Sequence, residues 1–259
     1  MRFFLELAYN GESFHGWQSQ PNAVSVQSTV EVALSTVLRH PVKITGAGRT
    51  DTGVNARKMF AHFDYHASLP DKHKLLLSLN RLVGRNIAVR NIFEVPENAH
   101  ARFDAVLRTY KYFIAYSKDP FLKSLFWNSP CFLDIEAMNE AASLLQATSD
   151  FTSFAKLHSD VKTNICVVKR SDWKEIKEDK EAFEFIGNLD NGIVFTISAD
   201  RFLRNMVRAI VGTLVEVGRH KITCEQFSDI IRQKNRCSAG MSMPANALYL
   251  WNVTYPFLH

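Results

Sequence analysis

The sequence predicts an α+β protein of two ferredoxin-like halves sharing one mixed, mainly antiparallel sheet, with a central cleft between the halves. Three observations lead there. Over the first hundred residues the apolar pattern follows the order strand, helix, strand, strand, helix, strand. The second half repeats that order with additions. No linker-like stretch separates the two, so residues 1–104 and 105–259 are expected to form two subdomains of one body.

The elements follow from their spacings. Phe3, Leu5, Leu7 and Tyr9 alternate and give a first strand one inward face. Ser25 is placed to cap a helix whose apolar stripe is Val26, Val30, Ala33, Leu34, Val37 and Leu38. Residues 42–46 and 57–65 read as strands. Ser68-Leu-Pro-Asp71 reads as a helix start, with Leu75, Leu79, Leu82 and Val83 as the buried side, and residues 87–95 close the half. In the second half a strand is expected over 107–117 and a helix from Asp134 carrying Met138, Ala141, Leu144 and Leu145. Strands are expected near 166–176, 182–187 and 192–199. Asp200 reads as the cap of a long helix ending at Gly218, Thr223-x-x-Gln226 as a capping box, and 248–255 as the closing strand.

Composition narrows the class of function. The chain has 259 residues, 46 % of them hydrophobic and 22 % charged, the balance of an ordinary globular protein. No apolar run approaches the roughly 20 residues that span a bilayer. Arg2 and Glu6 interrupt the start too early for a secretory leader, which predicts a cytoplasmic protein. Cys131, Cys166, Cys224 and Cys237 are widely spaced and read as reduced, mostly buried thiols. No His or Cys spacing suits a metal. The net charge of +5 favours an anionic partner.

The segment richest in chemistry is Gly46-Ala-Gly-Arg49-Thr50-Asp51-Thr52-Gly53-Val54-Asn55, a loop held between two strands. It is not a phosphate loop, because Val54-Asn55 stand where Lys-Ser/Thr would be. It is not a dinucleotide fingerprint, because Asp51 replaces the third glycine and a strand follows. Asp51-Thr52-Gly53 matches the aspartic-protease triplet, but Arg49 would favour ionisation of both carboxylates of a shared-proton pair. A plain turn with Asp51 capping backbone amides is the structural alternative.

Two more segments stand out. In Arg108-Thr-Tyr110-Lys-Tyr112-Phe-Ile-Ala-Tyr116 the tyrosines share a strand face. Tyr112 and Tyr116 are either half-buried sheet aromatics or stacking surfaces for a base, with Arg108 and Lys111 near phosphate. Arg201, Arg204 and Arg208 fall on one face of the expected long helix, as a solvated face or an anion-binding stripe.

Together these segments resemble the tRNA pseudouridine synthase A family over the whole chain. The resemblance is carried by Tyr9-Asn-Gly11, Phe14-His-Gly16-Trp17-Gln18, Gly48-Arg-Thr-Asp51-x-Gly53-Val54, Ala101-Arg102-Phe103 and Tyr110-Lys-Tyr112. Asp150-Phe-Thr-Ser-Phe154, Met206-Val-Arg208-x-Ile-Val-Gly212 and Leu248-Tyr249-Leu250 follow in family order. Asn55 stands where the family often has histidine, and Ala247 where it usually has glycine. The resemblance implies the pseudouridine synthase fold, a homodimer, no cofactor, and a substrate uridine at tRNA positions 38, 39 or 40 in the anticodon stem-loop. It implies Asp51 as the nucleophile and Tyr110 against the uracil. Arg49 would hold the flipped nucleotide, and Arg208 would pair with the catalytic carboxylate. A carboxylate can add to C6 of uracil, add to C1′ of ribose, or stabilise charge while a glycal forms. The sequence leaves those routes open.

The rival is a non-catalytic RNA-recognition-type module, which shares the strand-helix order and is partly mimicked by Lys58-Met-Phe60-Ala61-His-Phe-Asp-Tyr65. It leaves the Asp51 loop unexplained.

Overall fold

The computed structural model describes residues 1–66, 69, 71–120, 124–157, 162–187 and 191–258. Ser68 and Pro70 of the expected helix start lie outside the described residues. The chain forms two compact units, Met1–Arg108 together with the chain from Tyr249 on, and Thr109–Leu248.

The first unit contains β1 (Arg2–Tyr9), α1 (Val26–Leu38), β2 (Thr45–Gly46), β3 (Asn55–Asp64), α2 (Lys72–Leu82) and β4 (Ile87–Val95). The strand order is β4-β1-β3, with β2 also on β3. The β1–β3, β1–β4 and β2–β3 pairs are antiparallel, the pairing a ferredoxin-like unit needs. Phe4, Leu5, Leu7, Phe60, Phe63, Leu34 and Leu79 are among its buried residues. Ser25 caps α1 in a reciprocal box with Ser28, and Asp71 caps α2 by accepting the Lys74 amide.

The second unit contains β5 (Leu107–Ala115), β6 (Trp127–Asn128), α3 (Ile135–Ala147), β7 (Val168–Glu175), α4 (Lys180–Ile186), β8 (Gly192–Ala199), α5 (Met206–Gly218) and α6 (Cys224–Gln233). Its strand order is β5-β8-β7, with β6 parallel to β5. Asp134 and Thr223 cap α3 and α6 as expected. The chain then returns to the first unit as β9 (Leu248–Thr254), parallel to β3 at Asn55↔Tyr249 and Ala56↔Leu250. The protein is therefore α+β with mixed, mainly antiparallel pairing.

Three expectations are corrected. Residues 182–187 are not a strand: Ala182 and Ile186, four apart, are the buried face of α4, which Asp179 caps and Gly187 ends at φ +77°. Alternation in a short apolar run does not separate helix from strand. The long helix does not begin at Asp200. That carboxylate accepts the amides of Val167 and Arg201, and α5 starts only after Asn205, held left-handed at φ 66°, where asparagine is better tolerated than most residues. Arg201 and Arg204 thus precede α5, and the three-arginine helical stripe does not exist. Of the four cysteines, all are free thiols, but only Cys166 is fully buried.

Candidate active site

The Asp51 loop runs between β2 and β3, and the N-terminal segment is folded around it. Asp51 to Val54 is a β-turn closed by the Val54 amide on the Asp51 carbonyl at 3.1 Å. Its third residue is Gly53 at φ +78°, where such a turn needs a residue free to be left-handed. The Tyr9 hydroxyl meets Thr50 Oγ1 at 2.9 Å. The Trp17 amide donates to the Thr50 carbonyl at 3.3 Å, and the Gly53 amide to the Phe14 carbonyl at 3.4 Å. Asn55 is buried, and its Oδ1 accepts the Gly11 amide at 2.8 Å.

Close approach explains the glycines. A Cβ on Gly11 would lie 2.2 Å from the Val54 carbonyl oxygen, and one on Gly16 would lie 2.4 Å from that of Thr50. A Cβ on Gly46 would lie 2.4 Å from the Trp17 ring. Glycine is the residue that lets backbone meet backbone at such distances. Thr50 is buried, Asp51 half-buried and Arg49 exposed. The turn therefore fixes the backbone on either side of the carboxylate.

Tyr110 and Arg208 belong to the second unit. Tyr110 is half-buried on β5, its ring edge-on to Phe202 at 5.0 Å. Arg208 lies in the first turn of α5, and its Nε donates to the Met243 carbonyl at 2.6 Å, which fixes the guanidinium plane. The neighbouring Tyr112 is fully buried, donates to the Pro244 carbonyl at 3.0 Å, and is a core aromatic rather than a stacking surface. Burial raises its phenol pKa far above the usual value.

The two basic residues of that strand both bond the protein itself. Lys111 is 3 % exposed, and its Nζ donates to both carboxylate oxygens of Asp179 at 2.6 Å. Burial pushes the Asp179 carboxyl up, but the Lys111 bonds and the Ala182 amide outweigh it and hold the pKa below the usual range. Arg108 bonds three backbone carbonyls, those of Ala47, Arg102 and Ala105. Sequence reasoning gave neither role.

Among the described residues no group of three His, Cys, Asp or Glu side chains is arranged to hold a metal, and no helix is long and apolar enough to cross a membrane.

Comparison with known proteins gives the family of this α+β protein. Residues 141–256 match the family described as tRNA pseudouridine synthase. The chain is 51 % identical to tRNA pseudouridine synthase A of Parabacteroides distasonis over 98 % of its own length and 96 % of the relative's. The Bacteroides fragilis protein of the same name gives the same three figures. A Geobacillus relative, also named tRNA pseudouridine synthase A, is 37 % identical over 98 % of each chain. The chain belongs to the tRNA pseudouridine synthase A family, and its chemical class is isomerase.

Proposed function

We propose that the chain converts uridine to pseudouridine in tRNA, at positions 38, 39 and 40 of the anticodon stem-loop, with Asp51 as the nucleophile. The observation that carries this reading is the Asp51 turn: a half-buried carboxylate on a loop whose backbone is bonded to Phe14 and Trp17 and whose Thr50 hydroxyl meets that of Tyr9. Positional rigidity of that kind is what a reacting group requires.

The reaction breaks the N1–C1′ bond, turns the uracil and forms a C5–C1′ bond. The C5 hydrogen leaves as a proton and N1 takes one up, so substrate and product are isomers. A carboxylate can carry the detached fragment or stabilise the charge that develops as the glycosidic bond opens. The target base is stacked in a stem and must first be extruded. In this reading Arg49, exposed and two residues before Asp51, holds the extruded nucleotide. Tyr110 stacks on the uracil and places its hydroxyl near the moving proton, and Arg208 pairs with the catalytic carboxylate. The assembly is a cytoplasmic homodimer with one tRNA touching both protomers. Light scattering that finds an active monomer at working concentration refutes that last element.

The test uses tRNA tritiated at uridine C5, whose label enters water only when the C5–C1′ bond replaces C5–H. Wild type releases tritium. Asp51→Asn folds and binds tRNA with little loss, since phosphate contacts dominate affinity, while release drops by several orders of magnitude. If Asp51 only capped a turn, asparagine would accept the same bonds. More than about a tenth of normal activity, with reversion by deamidation excluded by mass spectrometry, removes Asp51 from the nucleophile's role. A wild-type protein that binds tRNA but releases no tritium is a binding module instead.

A further inference from the structure

Arg108 was a candidate phosphate contact in the sequence, yet its guanidinium is spent on the protein's own backbone. One terminal nitrogen, Nη2, donates to the Arg102 carbonyl at 2.7 Å and to the Ala47 carbonyl at 3.0 Å. The other, Nη1, donates to the Ala105 carbonyl at 3.0 Å. Ala47 follows directly on β2, two residues before Arg49 and four before Asp51. Its own amide donates to Phe60 on β3 at 2.8 Å, so both polar groups of this residue at the mouth of the loop are held.

The turn on the other side of Arg108 is itself anchored. The Ala101 amide donates to His62 Nδ1 at 3.1 Å, and the Tyr255 hydroxyl donates to the Ala101 carbonyl at 2.5 Å. Burial, with Arg2 nearby, holds the His62 pKa down to about 4, so the ring is neutral and its nitrogen accepts. The His100 amide donates to Asp104, and His100 Nδ1 accepts the amides of Arg102 and Phe103. Arg108 is therefore a strut between a fixed turn and the entry of the Asp51 loop.

We infer that Arg108 is a positioning residue for the reaction: it sets the entry of the Asp51 loop through the Ala47 carbonyl and does not bind RNA. The inference rests on Asp51 being the reacting group. The guanidinium divides its three carbonyl bonds between two terminal nitrogens held in one plane, whereas an ammonium must gather its three donors on a single atom. An ammonium has the charge without the fork, and loss of the strut lets the loop entry move.

Arg108→Lys and Arg108→Gln are tested with C5-tritiated tRNA in single turnover, alongside wild type and Asp51→Asn. Both variants are expected to fold and to bind tRNA within about threefold of wild type with an unchanged salt slope. The rate is expected to fall by roughly tenfold to a hundredfold, the range for displacing a reacting group by up to about 1 Å, with lysine no better than glutamine. Weakened binding with a salt slope reduced by about one charge, rescued by lysine, makes Arg108 a phosphate contact and overturns the inference. Unchanged rates overturn it too, as does failure of both variants to fold. Silent wild-type protein overturns the activity itself, a different result from active wild type with unaffected Arg108 variants.

Discussion

Gly16→Ala isolates the geometric demand of the Asp51 loop. Gly16 has φ +84°, and an added Cβ would sit 2.4 Å from the Thr50 carbonyl oxygen. Two costs follow. Alanine in a left-handed conformation costs about 1–2 kcal/mol. The contact must also open to at least 3.0 Å, a displacement of at least 0.6 Å at the residue before Asp51. Misplacing reacting groups by about 1 Å costs up to about a hundredfold in rate, so turnover should drop roughly tenfold or more. Gly84→Ala is the control. Gly84 has φ +77° with nothing within 4 Å of an added Cβ, so it bears the conformational cost without the collision. Thermal melts should show Gly16→Ala losing more stability than Gly84→Ala, and tritium release should fall for Gly16→Ala alone. Equal melts and equal turnover in the two variants would refute the claim that the Gly16 contact holds the loop.

Two further predictions concern the second unit. Tyr110→Phe keeps the ring beside Phe202 and removes only the hydroxyl, so tRNA affinity should hold while turnover falls by about a hundredfold or more; near-normal turnover in the tritium assay would make Tyr110 a packing residue. Lys111→Met strands the buried Asp179 carboxylate and should cost about 3–5 kcal/mol, seen as a lower denaturant midpoint. Because the Asp179 pKa is depressed in the folded state, its stabilising contribution is present above the unfolded carboxylate pKa and is lost as pH falls through the folded value. The Lys111→Met loss should therefore shrink in acid, and Lys111→Met/Asp179→Asn, which keeps a capping oxygen for α4, should recover part of it. A single variant as stable as wild type would show that the pair contributes nothing.

The first unit was legible because its signals are local and mutually consistent. Alternation in β1, the Ser25 cap and the glycine-rich loop each state their structure within a few residues, although Leu82 of the expected buried face of α2 is exposed. The second unit was legible where caps are strong, at Asp134 and Thr223, and misread where two patterns overlap. Ala182, Phe183 and Ile186 suit a helix, while Phe183 and Phe185 suit a strand; Asp179, tied at once to Lys111 and to the Ala182 amide, decides for the helix through a contact distant in sequence. The arginine stripe failed for a related reason. Arg201, Arg204 and Arg208 have helical spacing, but Asp200 is committed to the Val167 amide, so the chain cannot enter a helix there, and Asn205 supplies the break.

The motifs that carried the family resemblance have a common physical meaning in the first unit. Tyr9 holds Thr50, Gly11 accommodates Val54 and bonds Asn55, and Gly16 with Trp17 covers Thr50 and Gly46. Ala101 and Arg102 lie in the turn that Arg108 ties to Ala47. Separated by up to a hundred positions in sequence, they converge on the backbone of residues 46–55. Of these, only Asp51 and Arg49 are proposed for the chemistry; Tyr9, Gly11, Phe14, Gly16 and Trp17 contact the loop itself. Asn55 fits this logic, because the loop needs an acceptor for the Gly11 amide at that position and an asparagine oxygen supplies it. The spacing of such residues in sequence reveals that they belong together, but the direction in which each acts, toward substrate or toward the protein's own backbone, is decided by distances that only the fold defines. Arg108 is the clearest case: its charge suggested RNA, and its three carbonyl partners assign it to the loop.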